Sequence, residues 1–358
     1  EGRNKPGGAL EAEAVQLAGE ESVREEQFRA FFKAATRDEK RGEGHDPYPF
    51  QVRLALGEEL PELIDIPTGL DADTGEAEGA CVHADLTVTM ALPKRGHFLY
   101  PGRSFVGELR WVDIGIPEDV LEGGAGLRPY VVEPEDVVDR LPDREPEMHK
   151  GDRGRLLVVG GSAGLTGAVA LASQAAVRAG AGLVTAGVPL SLNDILEAKL
   201  TEAMTLPLPE AAARALGAAA WEPIAEFLNG KNGKFAVALG PGIGTHPETR
   251  ELVARLVQDL ACPMVIDADG INNLAGATAG LKDAAGPRIL TPHPGEMARL
   301  TGFSTPEVQS RRLDVAREAA AEFGVTLVLK GAQTVVAVPD GRVWINSTGN
   351  PALASGGP

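Results

Sequence analysis

Through the second half of the chain, short continuous apolar runs alternate with segments whose apolar residues recur at helical spacing. Arg155 to Val159, Leu183 to Val188, Phe235 to Leu239, Pro263 to Ile266, Arg288 to Leu290, Val325 to Leu329 and Val335 to Val338 predict strands. Gly167 to Ala179, Pro247 to Asp259 and Thr305 to Phe323 predict the helices between them. Strands that are apolar throughout, rather than at every second position, must be covered on both faces. The pattern therefore predicts an α/β domain built on a mainly parallel sheet, in which ligands bind past the carboxyl ends of the strands.

Upstream the pattern is sparser. Leu63 to Ile66 reads as a short strand running into Pro67-Thr68-Gly69 and the acidic loop Asp71-Ala72-Asp73, and Ala84 to Met90 alternates as another strand. In residues 1–62 charged stretches flank Phe28, Phe31 and Phe32, whose spacing predicts one face of an amphipathic helix. Pro129 to Glu147 is rich in proline and acid and has the composition of an exposed linker. The expected divisions are an N-terminal segment (1–62), a first domain (63–128), a linker (129–147) and the α/β domain (148–358).

Composition narrows the chemistry. With 358 residues, 43% of them hydrophobic, the chain has material for two cores. Its net charge of -17 repels nucleic acid, so an anionic ligand must be held by local devices such as backbone amides and a few aimed cations. Cys81 and Cys262 fit no metal-ligand spacing. No apolar run approaches the ~20 residues of a membrane span, and the acidic start has no leader-like pattern, which leads to the expectation of a soluble, cytoplasmic protein without a membrane partner.

The candidate chemistry clusters after the predicted strands. Gly160-Gly161-Ser162-Ala163-Gly164-Leu165-Thr166-Gly167 and Gly240-Pro241-Gly242-Ile243-Gly244-Thr245 are glycine loops that either cradle an anion or serve as tight turns. Asp267-Ala268-Asp269-Gly270 offers carboxylates for a hydroxyl or a magnesium-bound phosphate, or a helix N-cap. In Thr291-Pro292-His293-Pro294-Gly295-Glu296 the flanking prolines fix His293 on a rigid loop, where an imidazole binds a ligand or moves a proton. Lys330-Gly331-Ala332-Gln333-Thr334 suits a polyphosphate or is simply a hairpin with an exposed lysine.

Taken in order from Met148 to Pro358, together with His149-Lys150-Gly151 and Gly349-Asn350-Pro351, these motifs resemble the ADP- or ATP-dependent NAD(P)HX dehydratase family. The resemblance implies a ribokinase-like fold. It implies contacts from Ala168, Val169, Gly242 and His293 to the hydrated cofactor, and an adenine-nucleotide site at Lys330, Gly331, Ala332, Gln333, Thr334 and Gly357. The implied chemistry is phosphorylation of the ring hydroxyl by ADP or ATP with Mg2+, followed by loss of phosphate. The family's aspartate, which acts on that hydroxyl, comes after the glycine pair matching Gly356 and Gly357, where this chain reaches Pro358, so the resemblance implies a sequence cut short.

Leu63 to Pro117 resembles the C-terminal part of the Rossmann-like NAD(P)HX epimerase domain, through Asp65-Ile66-Pro67-Thr68-Gly69-Leu70-Asp71-Ala72-Asp73-Thr74-Gly75, Ala84 to Thr89, Lys94-Arg95-Gly96-His97 and Asp113-Ile114-Gly115-Ile116-Pro117. This implies a substrate contact at Asp65 and a potassium ligand at Thr68. The family's earlier Asn-Asn-Gly-Gly-Asp loop does not occur in residues 1–60. The expectation is thus a cofactor-repair protein that dehydrates NAD(P)HX and carries a partial epimerase region, in a homo-oligomer. A ribokinase-like vitamin-precursor kinase and a catalytically silent nucleotide-binding module are the alternatives.

Overall fold

The computed structural model describes residues 63–77, 79–122, 128–143, 145–147, 149–230 and 234–353. They fall into two compact units that divide between residues 124 and 125. The amphipathic helix expected around Phe28 lies outside the described residues.

In the first unit β1 (Leu63–Ile64), β2 (Leu86–Met90) and β3 (Glu108–Val112) form a parallel sheet in that order, followed by α1 (Glu118–Glu122). The better-buried face of β2 carries threonines rather than its apolar residues, and they are satisfied as buried hydroxyls must be. The Thr87 hydroxyl donates to Val106 O at 2.7 Å and that of Thr89 to the Asp65 carboxylate at 2.8 Å.

The second unit opens with β4 (Pro129–Val131) and α2 (Pro134–Val138). Next come β5 (Arg155–Val159), α3 (Thr166–Ala179), β6 (Leu183–Pro189), α4 (Asn193–Lys199), β7 (Met204–Leu208) and the small ribbon β8 (Glu210–Ala211) and β9 (Ala215–Leu216). They continue with α5 (Trp221–Asn229), β10 (Phe235–Leu239), α6 (Pro247–Asp259), β11 (Met264–Ile266), α7 (Asp269–Leu274), α8 (Ala279–Lys282) and β12 (Arg288–Leu290). The last are α9 (Pro294–Thr301), α10 (Thr305–Ser310), α11 (Arg312–Phe323), β13 (Thr326–Leu329), β14 (Thr334–Ala337) and β15 (Val343–Asn346).

Ten of these strands make one sheet, ordered β4-β15-β14-β13-β12-β11-β10-β5-β6-β7, and only β14 runs against the rest. Its centre is buried on both sides: Leu157, Val158, Val159, Val237 and Leu239 have no exposed surface, as continuous apolar strands require. The mainly parallel sheet is as the sequence predicts.

Two expectations need correction. Residues 129–147 are not wholly a linker, because β4 pairs with β15 in register Val343 to Pro129 and Ile345 to Val131, which satisfies an edge that would otherwise be open. The polar stretch after β4 does lie exposed. The single helix expected over Thr305 to Phe323 is two, because Arg311 leaves the helical region at φ -124° and ψ 34°, so that Arg312 starts a new helix with its side chain buried.

Candidate functional site

Strands β5, β10, β11, β12 and β13 are neighbours and parallel, so the loops that follow them open on one rim. From β5 the chain passes through α3 to β6 on one side, and from β10 through α6 to β11 on the other. Their loops therefore diverge at a topological switch point, the place in an open α/β sheet where a crevice forms. All five motifs singled out in the sequence sit on this rim.

The centre of the rim is a charged cluster. Lys330 Nζ lies 2.6 Å from Asp267 Oδ1 and 3.9 Å from Glu296 Oε2. Glu296, nearly buried, accepts the His293 N–H at 2.8 Å, and its other oxygen lies 3.4 Å from His293 Nε2. Lys330 N–H donates to Pro292 O at 2.8 Å, which ties the turn after β13 to the loop after β12.

His293 has a structural duty as well as an exposed ring. Its Nδ1 accepts from the N–H groups of Gly295 at 3.0 Å and Glu296 at 3.3 Å, capping α9, while Pro294 fills the first helical position. Only Nε2 is left for a ligand. Asp269 is similarly engaged: its carboxylate accepts from Gly244 N–H at 3.1 Å and from the Asn272 side chain at 3.0 Å, which fastens the second glycine loop to α7.

The glycine loops prove to be close-packed turns more than open cradles. Gly161 N–H donates to Pro241 O, Ala163 N–H to Arg214 O, Gly240 N–H to Val159 O and Ile243 N–H to Gly240 O, so these amides are not offered to an anion. Gly242 has φ +64°, and a Cβ there would stand 2.6 Å from Leu165 O and 3.2 Å from the Ala168 Cβ, so it lets the second loop lie against the start of α3. Ala168 thus borders the switch point. Val169, expected beside it, is fully buried in the core with Val158 and Val184 and has no exposed surface there.

The turn from Lys330 to Thr334 joins the antiparallel pair β13 and β14, so the hairpin expected of it is present. Gln333 takes φ +58°, and its Oε1 is buried without a donor among the described residues. Two residues that the sequence reading did not single out also shape the rim. Asn273 donates to Gly244 O at 2.8 Å from α7, and Arg312 reaches the turn from α11. Gly357 lies outside the described residues.

In the first unit Asp65 is the centre of a second cluster. Lys94 Nζ at 3.0 Å, Thr89 Oγ1 at 2.8 Å and Met90 N–H at 3.0 Å all donate to its Oδ1. Burial would raise the pKa of this carboxyl, but those bonds outweigh it and hold the group below the usual range. His97, fully buried beside it, accepts from Lys94 N–H through Nδ1, while its Nε2 has no partner among the described residues. Burial, helped by the Lys94 charge, brings its pKa down to about 4. Thr68 lies in the following turn, where its carbonyl accepts from Val82 N–H at 3.0 Å.

Residues 156–358 match the family described as NAD(P)H-hydrate dehydratase, and residues 63–96 match the YjeF-related protein N-terminus. Among curated relatives, the bifunctional NAD(P)H-hydrate repair enzyme of Moorella thermoacetica is 47% identical over 294 residues, and that of Thermofilum pendens is 40% identical over 294 residues. Each alignment covers 82% of this chain and 55% of the relative, so the chain spans about half the length of the curated relatives it matches. The ADP/ATP-dependent NAD(P)H-hydrate dehydratase of Bacillus subtilis, co-crystallized with ATP/Mg2+, superposes with a TM-score of 0.54 at 37% identity, covering 64% of this chain and 76% of that one. A ribokinase-like superfamily protein from Enterococcus faecalis, 21% identical, superposes with a TM-score of 0.52 over 65% of this chain and 75% of its own, and shows the fold alone. The α/β unit is ribokinase-like, and a region matching the YjeF-related protein N-terminus precedes it.

Proposed function

Because the chain belongs to the NAD(P)H-hydrate dehydratase family, we propose that its second unit repairs NAD(P)HX, the hydrated form of the reduced nicotinamide cofactors, at the expense of an adenine nucleotide. The dehydratase domain in this reading takes in the stretch from 148 to 358 and draws its edge strand from residues 129–131. The region 63–128 is the C-terminal part of an epimerase that interconverts the two epimers of the same substrate. The terminal phosphoryl group passes to the ring hydroxyl, and phosphate then departs with the electrons of the C–O bond as a proton is lost, restoring the dihydropyridine.

The observation that carries the proposal is the single rim shared by His293, Glu296, Asp267 and Lys330. On it, His293 Nε2, Gly242 and the start of α3 at Ala168 receive the hydrated dinucleotide, and Lys330 to Thr334 with Gly357 receive ADP or ATP. The Lys330 ammonium supplies the local positive charge that an acidic protein needs to hold a polyphosphate. The vitamin-precursor kinase reading shares the rim, but the match to the dehydratase family favours phosphate elimination.

Mg2+ fits as an ion brought by the nucleotide. Among the described residues no three acidic, histidine or cysteine side chains gather to hold a metal, and Mg2+ on a nucleotide needs only one or two carboxylates beside the phosphates. Asp267 is the rim carboxylate placed to supply one. Potassium, in the same reading, takes an oxygen ligand from Thr68 in the turn after β1. A cytoplasmic homo-oligomer completes the proposal.

The test is to titrate the chain with ADP and with ATP and Mg2+, and then to incubate it with hydrated NADH and each nucleotide while following the absorbance of reduced nicotinamide. Nucleotide binding with recovery of NADH is the expected outcome. Phosphorylation of an alcohol without elimination supports the kinase, and absence of nucleotide binding sinks both readings.

A further inference from the structure

The turn from Lys330 to Thr334 rests on a buried cation. Arg312, the first residue of α11, is 9% exposed, and its Nη2 donates to Leu329 O at 3.1 Å and Lys330 O at 3.2 Å. Its Nη1 donates to Gln309 Oε1 at 2.5 Å. Its Nε is buried with no acceptor, and no carboxylate pairs with it among the described residues. Burial brings the guanidinium pKa down only to about 10, so the charge persists at neutral pH. Gly331, at φ +141°, lies so close that a Cβ would stand 3.0 Å from Nη2 and 3.1 Å from Nη1.

A buried guanidinium bound to carbonyls is not remarkable by itself in this chain. Arg288 also has carbonyl acceptors, but besides its neighbour Pro287 they are Val257, Leu260 and Cys262, the last turn of α6 and the residues after it, where helix carbonyls lack donors. Arg312 instead binds the last carbonyl of β13 and the first of the turn. It thereby fixes the peptide from which the Lys330 side chain departs toward Asp267.

We propose that Arg312 is a positioning residue for the nucleotide subsite: its two-carbonyl fork sets the course of the 330–334 turn, and its unpaired charge lies beneath the place where an anionic ligand sits. The inference rests on the reading of that turn as the adenine-nucleotide site. Lysine cannot reproduce this arrangement, because its single nitrogen cannot hold both carbonyls while a second, coplanar nitrogen donates to Gln309 Oε1.

The experiment compares the full chain with its Arg312→Lys, Gly331→Ala and Arg288→Lys variants, by calorimetric titration with ADP, with ATP and Mg2+, and with NADP+ as a probe of the dinucleotide side, alongside thermal melts. For Arg312→Lys the nucleotide Kd is expected to rise about tenfold or more, while the NADP+ Kd stays within about twofold. Gly331→Ala, which keeps the buried charge but pushes the turn off it, is expected to show the same split and carries the test if Arg312→Lys does not fold. Arg288→Lys is expected to change the melting temperature without that split. Nucleotide binding within about twofold of the parent in Arg312→Lys, or in Gly331→Ala where Arg312→Lys does not fold, overturns the inference and leaves the nucleotide reading standing. So do equal losses for nucleotide and NADP+. A parent chain that binds NADP+ but no nucleotide overturns the nucleotide reading itself, and the inference with it.

Discussion

Lys330 and Asp267 meet across the rim at 2.6 Å although β12 separates the strands they follow. Both side chains are about two-fifths exposed, 40% and 41%, and a pair so open to water contributes at most about 1 kcal/mol to stability. The contact therefore aims the ammonium more than it holds the fold. Lys330→Met is expected to leave the melting temperature nearly unchanged and to weaken nucleotide binding about tenfold or more, with much of the salt dependence lost. Unchanged nucleotide affinity at low ionic strength would remove Lys330 from the site.

His293 has two separable duties, and two substitutions separate them. Asparagine keeps a side-chain acceptor for the first turn of α9, so His293→Asn is expected to melt close to the parent while losing dinucleotide affinity. His293→Ala loses the cap too, at about 1 kcal/mol or about 2–4 °C. Melting curves and NADP+ titrations of both variants check this, and full dinucleotide affinity in His293→Asn would reduce the histidine to a cap.

Gly242→Ala places a methyl 2.6 Å from the Leu165 carbonyl oxygen at a φ of +64°, where neither the backbone atom nor the dihedral can easily give. A loss of about 1–3 kcal/mol in the second unit is expected, with weaker dinucleotide binding because the loop is lifted from α3. Calorimetry reads both, and an unperturbed melting transition would mean that the loops do not pack as closely as described.

His97 makes the first unit sensitive to acid. Its pKa is about 4 when folded against an ordinary 6.5, so between these values the unfolded chain binds more protons and stability rises with pH. The contribution is whole above pH ~6.5 and is lost as pH falls toward ~4, amounting to about 3 kcal/mol. His97→Phe is expected to flatten that part of the profile in denaturant titrations run from pH ~7 to ~4. A profile with the same slope in parent and variant would exclude the histidine as its source.

The central strands β5, β10, β11 and β12 were legible because they are continuous apolar runs, polar only at the leading Arg155 and Arg288, the mark of a sheet covered on both sides. The edges were not. In Met204–Leu208 a proline interrupts the run, and Val343–Asn346 is short and buries only alternate residues, Val343 and Ile345. Neither stands out from neighbouring turns. The rim motifs were legible because glycine, proline and charge follow each strand, yet their duties were only half visible. Thr245-His246-Pro247 and Pro292-His293-Pro294 carry the same His-Pro pair, and both histidines cap helices, a local rule that sequence does reveal. That His293 also meets Glu296 beside Lys330 depends on strand order. Arg312 was invisible for the same reason: its carbonyl acceptors lie 17 and 18 residues away, under a turn that exists only once β13 is in place.

The strand at Pro129–Val131 has a practical consequence for dissecting the chain. A protein begun at residue 148, where the recognisable motifs start, would shed that strand and leave the backbone of Val343–Asn346 unpaired along one whole side. Such a fragment presents a raw border to its own copies and invites fibrillar self-pairing, so poor solubility on shortening would reflect the cut and not the native domain.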